Sequence, residues 1–216
     1  MILKNKIYFI AGIGTDIGKT FLVEKICSKL QEEVIAFNAV KPIISGFRDD
    51  DLQSDSAKIL RILKKDFTKK NFDEISPWRF KAAISPNLAA HQENKEIDFA
   101  QVVNFCQEKI SEAIKLDQFL FIEAAGGVMT PITNDKTFLN LISKLQVEVL
   151  LVSANYLGSI SHSLCAVEAL KSKGILPEII LVNEYPEFSD TNISQLVATI
   201  ENLSKIKTMS FDVFLD

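Results

Sequence analysis

The stretch KIYFIAGIGTDIGKT, residues 6–20, joins a short apolar run to a glycine-rich loop that ends in Gly-Lys-Thr. The common phosphate-binding loop has the pattern G-x-x-x-x-G-K-[ST], which would require a glycine at position 13. Here Ile13 occupies that position, and five residues separate Gly12 from Gly18. An apolar run before the loop and an amphipathic stretch after it favour a variant phosphate site, because glycine N–H groups and a helix N terminus attract anions. A plain glycine turn before a helix is the alternative.

Apolar runs alternate with amphipathic stretches along the rest of the chain. Five runs predict strands: KIYFIA (6–11), VIAFNAV (34–40), FLFIEA (119–124), VEVLLVSA (147–154) and EIILVN (178–183). Apolar residues at spacings of three and four predict helices near 19–32, 53–65, 98–116, 137–145, 158–173 and 190–204. The segment DFTKKNFD (66–73) is expected to be an exposed loop. This alternation predicts an α/β fold, a doubly wound and mainly parallel sheet with helices on both faces, of the P-loop NTPase-like kind.

Composition and charge exclude several classes of protein. The chain has 216 residues, of which 47% are hydrophobic and 24% charged, with a formal net charge of −4. Its Lys and Arg residues are scattered, which argues against a nucleic-acid partner. The three cysteines are too far apart for a disulfide framework or a zinc site, and no run approaches the roughly 18 apolar residues of a membrane span. We expect a cytoplasmic protein without a signal peptide, with one domain over residues 1–216 and no membrane contact.

Such sheets bind ligands where their strands end, so the residues after each predicted strand carry the functional prediction. After the first strand, Lys19 would reach the terminal phosphates of a nucleotide, and the hydroxyl of Thr20 would ligate Mg²⁺. After the second strand, Lys41 precedes Pro42, which disfavours helical backbone and would turn the lysine towards the phosphate loop. An exposed loop lysine is the alternative for Lys41.

Two acidic residues and one amide complete the set of candidates. Glu123 ends the run FLFIE, where a Mg²⁺-organising carboxylate belongs in a phosphate-binding protein, although it could instead cap a helix or pair with a lysine. Asp55 lies at a predicted helix start, where acids are common in any case. Asn183 ends the last predicted strand, where nucleotide-binding sheets often contact the edge of a base.

Taken together, these segments resemble the dethiobiotin synthetase family, whose phosphate loop also has five residues between its glycines. The resemblance covers GIGTDIGKT, KPIISG, SDSA, SPNLAAHQE (85–93), IEAAGGVMTPIT (122–133) and YLGSISHSL (156–164), in the same order as in the family. It extends from Ile7 to about Asn183 and fades afterwards.

The resemblance implies a ligase of biotin biosynthesis that uses ATP, Mg²⁺ and carbon dioxide. Its substrate, 7,8-diaminopelargonic acid, would form a carbamate, which attacks the γ-phosphate of ATP to give a carbamic-phosphoric anhydride. The second amine would then close the ureido ring and release phosphate. The family also implies a homodimer.

The resemblance implies roles for individual residues as well. Lys41, Lys19 and Thr15 would be catalytic, and Thr20, Asp55 and Glu123 would surround Mg²⁺. The expected ATP contacts are Gly14, Thr15, Asp16, Ile17, Gly18, Lys19, Thr20, Asp55, Glu123, Gly126 and Asn183. The expected substrate contacts are Thr15, Lys41, Ser45, Gly158, Ser159, Ile160 and Ser161, the last four reaching the tail carboxylate across the dimer interface.

Three features depart from the family pattern, and two other functions remain open. Ala124 stands where the family has glycine, and Tyr156 stands where a lysine is common. The C-terminal segment KIKTMSFDVFLD lacks a match to the adenine-covering segment, which leaves the choice among ATP, CTP and GTP open.

A carboxylate-activating ligase of the cobyrinic-acid synthetase type shares the sheet and loop, but this chain has no cysteine in a nucleophile elbow. A P-loop ATPase switch would require a lysine early in the loop, where this chain has Ile13 and Gly14.

Overall fold

The computed structural model describes residues 3–48, 50–188 and 192–216. Within these residues, six parallel strands form the main sheet in the spatial order β2-β5-β1-β6-β7-β8, and β3 pairs with β4 in a small second sheet. The strands are β1 (Ile7–Gly12), β2 (Phe37–Val40), β3 (Ile43–Ser45), β4 (Trp78–Phe80), β5 (Phe119–Glu123), β6 (Glu148–Ala154), β7 (Ile179–Asn183) and β8 (Thr208–Ser210).

The connections between the strands carry the helices. In the described part of the chain they are α1 (Lys19–Glu32), α2 (Asp55–Ile62), α3 (Lys69–Ile75), α4 (Pro86–Gln92), α5 (Phe99–Lys115), α6 (Phe138–Leu145), α7 (Ser159–Lys171), α8 (Ile193–Ser204) and α9 (Phe211–Leu215). None of these helices is long and apolar enough to cross a membrane.

The central strands are buried on both faces. In β1, the consecutive residues from Tyr8 to Ala11 have no exposed surface, and in β6 the same is true from Val149 to Val152. Because successive side chains of a strand point to opposite faces, this burial requires a covering layer on each face of the sheet. The predicted α/β fold with a parallel sheet is therefore confirmed.

The strand order brings three predicted site segments to one edge of the sheet. β5 lies directly between β1 and β2, with Ile10 of β1 opposite Glu123 and Val40 of β2 opposite Ile122. All three strands run in the same direction, so the phosphate loop after β1, Lys41 after β2 and Glu123 at the end of β5 lie side by side.

The five predicted strands and six predicted helices are all present, with ends that shift by up to three residues. The prediction for 190–204 begins at residues 190 and 191, which lie outside the described residues, and α8 covers its remainder from Ile193.

The prediction of a loop over 66–73 is wrong from Lys69 onwards, where α3 begins, although residues 66–70 are exposed as expected. The side-chain oxygen of Thr68 caps α3 by accepting from the Asn71 N–H, and Phe72 and Ile75 of α3 are buried. The sequence pattern does not indicate this helix, because Phe72 and Ile75 are the two residues of α3 that are buried and the rest of the segment is mostly polar.

Candidate active site

The phosphate loop connects β1 to α1 through two residues with left-handed backbone. Gly18, which precedes the first residue of α1, has φ +95°, and Asp16 has φ +53°. A methyl group on Gly18 would lie 2.3 Å from the amide nitrogen of Asn183, so only glycine fits there. Within the longer loop, Asp16 thus adopts a left-handed conformation that usually favours glycine.

Two backbone hydrogen bonds hold the start of this loop. The Ile13 N–H donates to the Val152 carbonyl of β6 at 3.0 Å, and the Val128 N–H donates to the Gly12 carbonyl at 2.9 Å. The chain after β5 also approaches the loop closely, because a methyl group on Gly127 would lie 3.1 Å from the Ile13 carbonyl oxygen.

Lys19 lies beneath the loop and is buried, with 5% of its surface exposed. Its Nζ donates to the Gly14 carbonyl at 2.6 Å. Burial, and then the positive charge of Lys41, lower the Lys19 pKa to about 8. A bound polyphosphate would supply the negative charge that this buried ammonium lacks.

Lys41 is at the centre of a buried charged cluster. Its Nζ contacts Glu123 Oε1 at 2.6 Å and also pairs with Asp55 Oδ2. The Thr20 hydroxyl donates to the same Glu123 Oε1 at 2.6 Å. Burial alone would lower the Lys41 pKa, but the charges of Glu123 and Asp55 outweigh it and raise that pKa. Burial raises the Asp55 pKa in turn, but the charge and hydrogen bond of Lys41, together with Thr20 and Lys58, outweigh it and lower that pKa.

The oxygen atoms of this cluster fit a hard cation. Glu123 Oε2 is buried and has no hydrogen-bond partner among the described residues, as expected of an oxygen that a cation would complete. Those residues contain no group of three His, Cys, Asp or Glu side chains able to hold a metal ion. Mg²⁺ commonly uses one or two carboxylates together with substrate phosphates, so Thr20, Asp55 and Glu123 are a suitable protein contribution.

Two adjoining cavities meet at this cluster. The first has a volume of about 540 Å³, and the second, along the phosphate loop, about 350 Å³. Both are lined by Thr15, Asp16, Lys41, Asp55 and Gly126. The smaller cavity follows the loop to Lys19 and Thr20, while the larger extends away from it. A polyphosphate and a second, elongated substrate could therefore meet at Lys41.

Comparison with known proteins agrees with this geometry. Residues 6–210 match a family model described as an AAA domain. The ATP-dependent dethiobiotin synthetase BioD of Methylobacterium nodulans is 36% identical over 182 residues, which cover 82% of this chain and 80% of that protein. The protein of the same name from Francisella tularensis subsp. holarctica is 32% identical over 206 residues, or 94% of this chain and 90% of that protein.

The chain belongs to the dethiobiotin synthetase family. It is accordingly an enzyme of the ligase class.

Solved structures of other proteins share its fold. The signal recognition particle receptor FtsY from Elizabethkingia anophelis has a TM-score of 0.54 at 14% identity, over 95% of this chain and 58% of that one. The signal recognition particle 54 kDa protein from Aeropyrum pernix K1, in complex with GDP, has a TM-score of 0.56 at 11% identity, over 97% of this chain and 42% of that one. The chain thus spans about half the length of these two, and the likeness shows a P-loop NTPase-like fold alone.

Ser45, expected from the dethiobiotin synthetase resemblance to contact the substrate, lies in the wall of the larger cavity. Its hydroxyl oxygen has no hydrogen-bond partner among the described residues. The sheet formed by β3 and β4 positions it, with Ser45 opposite Phe80. That sheet is absent from the sequence predictions, because three-residue strands show no readable alternation.

Other residues of the larger cavity had no predicted role. Ile84, Ser85 and Pro86 before and at the start of α4, together with Thr130 and Pro131, line its far wall. The segments SPNLAAHQE and MTPIT belong to the family resemblance, which assigns no role to a particular residue of either segment.

The segment Gly158–Ser161 lies apart from these cavities. Gly158, with φ +96°, precedes α7, and Ser159 is buried with its hydroxyl oxygen unpartnered among the described residues. None of the four residues lines either cavity at the Lys41 cluster. Within one chain, the structure therefore does not bring this segment together with Lys41 and Ser45.

Asn183 lies at the end of β7 and directly under the phosphate loop. It is 9% exposed, and its amide nitrogen lies 3.4 Å from the Ile17 carbonyl, to which it donates.

Ala124 and Tyr156, which depart from the family pattern, are both accommodated in the structure. Ala124 is buried and is not among the residues with positive φ, so its methyl group causes no backbone strain. The Tyr156 hydroxyl forms a 2.8 Å hydrogen bond with Nδ1 of His162.

Proposed function

We propose that this chain is an ATP-dependent dethiobiotin synthetase that converts 7,8-diaminopelargonic acid and carbon dioxide to the cyclic urea product of biotin biosynthesis. The observation that carries the proposal is the convergence of Lys41, Glu123, Asp55 and Thr20 where the phosphate loop meets a second cavity. The relatives that bear this name supply the identity of the substrates.

The reaction begins with carbamate formation beside Lys41. One amine of the diamine attacks carbon dioxide and loses a proton, and the Lys41 ammonium lies within reach of the resulting negative charge. Thr15 and Ser45, in the same cavity, are suited to hydrogen-bond the diamine end of the substrate. Holding both reactants in one cavity replaces a collision in solution by a positioned reaction.

Phosphoryl transfer follows at the boundary between the two cavities. A carbamate oxygen attacks the γ-phosphorus, and the bond from that phosphorus to the bridging oxygen breaks as ADP leaves. Lys19 neutralises charge on the β- and γ-phosphates, while Gly14 to Gly18 direct backbone N–H groups towards them. Mg²⁺, held by Thr20, Asp55 and Glu123, would stabilise charge on the phosphate oxygens.

Ring closure needs no further protein nucleophile. The second amine attacks the carbonyl carbon of the carbamic-phosphoric anhydride, loses a proton and expels inorganic phosphate. The walls of the larger cavity would keep the second amine close to that carbon and limit hydrolysis by water.

The proposal includes a homodimer, a cytoplasmic location and a single functional domain over residues 1–216. Gly158, Ser159, Ile160 and Ser161 would bind the tail carboxylate of a substrate held mainly by the other subunit. The start of α7 supports this, since a helix N terminus favours an anion and the Ser159 hydroxyl has no hydrogen-bond partner among the described residues.

The test is phosphate release from Mg·ATP, measured with and without the diamine and bicarbonate. We expect release that requires both additions. Slow hydrolysis that ignores the diamine would refute the synthetase activity and would favour an ATPase switch. Release that depends on another carboxylic acid would favour a different carboxylate-activating ligase.

A further inference from the structure

The left-handed residue in the middle of the phosphate loop needs an external support. Asp16 has φ +53°, a conformation that costs a residue other than glycine on the order of 1 kcal/mol. The residue is exposed and lines both cavities at the Lys41 cluster. A loop with such a residue would lose its phosphate-binding shape easily if nothing held it.

Tyr185 supplies a direct contact to that residue. Its hydroxyl donates to the Asp16 carbonyl oxygen at 2.8 Å, although the two residues are 169 positions apart in the sequence. The Asn183 side chain donates to the carbonyl of the next loop residue, Ile17, at 3.4 Å. The end of β7 thus contacts two consecutive residues of the loop.

The backbone of Tyr185 is itself held in place. The Tyr185 N–H donates to Asn155 Oδ1 at 2.8 Å, and Asn155 Nδ2 donates to the Tyr185 carbonyl at 3.1 Å. Asn155 follows β6 directly and is 1% exposed. Both ends of one buried amide therefore fix the tyrosine backbone to the sheet, and the phenol extends from this support to the loop.

We propose that Tyr185 is a positioning residue, which holds the Asp16 turn of the phosphate loop in its binding shape through its hydroxyl group. Although Tyr185 also lines the smaller cavity, its hydroxyl bonds the Asp16 carbonyl and acts on the polyphosphate through the loop. The proposal depends on the loop binding a polyphosphate, which is part of the proposed function, and not on the identity of the second substrate.

The test compares Tyr185→Phe with the unchanged protein and with Tyr156→Phe, a matched control whose hydroxyl bonds His162 instead of the loop. Calorimetry would give the dissociation constants of Mg·ATP and of Mg·tripolyphosphate, which has neither base nor ribose. Because the variant removes the hydrogen bond to the Asp16 carbonyl, we expect Tyr185→Phe to weaken both ligands by a similar factor, about two- to tenfold. The KM for ATP should rise by that factor, with a much smaller change in kcat.

Several outcomes would overturn the proposal. Unchanged affinity for both ligands would show that the hydroxyl does not position the loop, and a loss confined to ATP would mean that Tyr185 contacts the nucleoside. An equal loss in Tyr156→Phe, or a large fall in the melting temperature of ligand-free Tyr185→Phe, would indicate a general structural role. Since these readouts are binding constants, they remain decisive even if no diamine is turned over.

Discussion

Replacing Lys41 with methionine tests the buried charged cluster in the ligand-free protein. Lys41 is 5% exposed, and its Nζ lies 2.6 Å from a Glu123 carboxylate that is itself 1% exposed. Methionine has a similar length and no charge, so the variant removes the ammonium with little change in packing. Among the described residues, it leaves the Thr20 hydroxyl as the remaining donor to the buried Glu123 carboxylate.

The expected loss of stability follows from that uncompensated charge. Removing one member of a buried ion pair costs about 3–5 kcal/mol, because the remaining charge stays out of water. Here the lower end applies, since Thr20 still donates to Glu123 and the partly exposed Asp55 is screened by solvent. A loss of about 3 kcal/mol corresponds to a fall of roughly 6–12 °C in melting temperature for a chain of this size.

Thermal and urea unfolding of three proteins would measure this effect: the unchanged protein, Lys41→Met, and Lys41→Met combined with Glu123→Gln. We expect the double variant to recover most of the lost stability, because glutamine removes the buried charge. Mn²⁺ should also raise the melting temperature of Lys41→Met more than that of the unchanged protein, since the cation can replace the missing ammonium. Unchanged stability in Lys41→Met, or a further loss in the double variant, would refute this account of the cluster.

Three other predictions concern the phosphate loop and the larger cavity. Lys19 has a pKa of about 8 when no ligand is bound, and bound phosphates favour its charged form, so affinity for Mg·ATP should fall about tenfold per pH unit above pH 8. Calorimetry in buffers of different ionisation enthalpy should show proton uptake on binding. Affinity that stays constant to pH 9.5 would contradict this. Gly18→Ala should lower both the free energy of unfolding and the affinity for nucleotide, because the added methyl group would lie 2.3 Å from the Asn183 amide nitrogen. The control Gly174→Ala has φ +71° and no atom within 4 Å of the added methyl group, so it should cost only backbone strain and leave binding intact. Ser45→Ala should raise the KM for the diamine about fivefold and leave the KM for ATP unchanged. The control Ser56→Ala also removes a buried hydroxyl that has no partner among the described residues, but Ser56 lies outside both cavities, so neither KM should change.

The sequence predicts best what depends on neighbouring residues. The apolar runs that become β1, β5, β6 and β7 are long enough to be recognised, and the predicted site residues lie at or just after their ends. Parallel strands place those ends at one edge, so the meeting of the phosphate loop, Lys41 and Glu123 could be expected before any coordinates were known. Of the alternatives for Glu123, pairing with a lysine is present in the ligand-free protein, and that lysine is Lys41 itself.

The remaining features depend on contacts between distant parts of the chain. The strands β3 and β4 are three residues long, and their pairing, which positions Ser45, joins segments more than 30 residues apart. Tyr185 has no motif around it, and only its 2.8 Å contact with Asp16 reveals a role. For Gly158–Ser161, the expected partner is a second chain, so neither one sequence nor one folded chain brings these residues to the substrate.

The synthesis of a cyclic urea from labelled bicarbonate tests the central claim most directly. Purified protein would be incubated with Mg·ATP, 7,8-diaminopelargonic acid and carbon-13 bicarbonate, and the product mass would be measured for the unchanged protein and for Lys41→Ala. We predict a product heavier than the diamine by one labelled carbonyl group, less two hydrogens. Lys41→Ala should form it at least about 10²-fold more slowly while still binding ATP. A protein that hydrolyses ATP without forming this product, or a Lys41→Ala variant with full synthetase activity, would contradict the account.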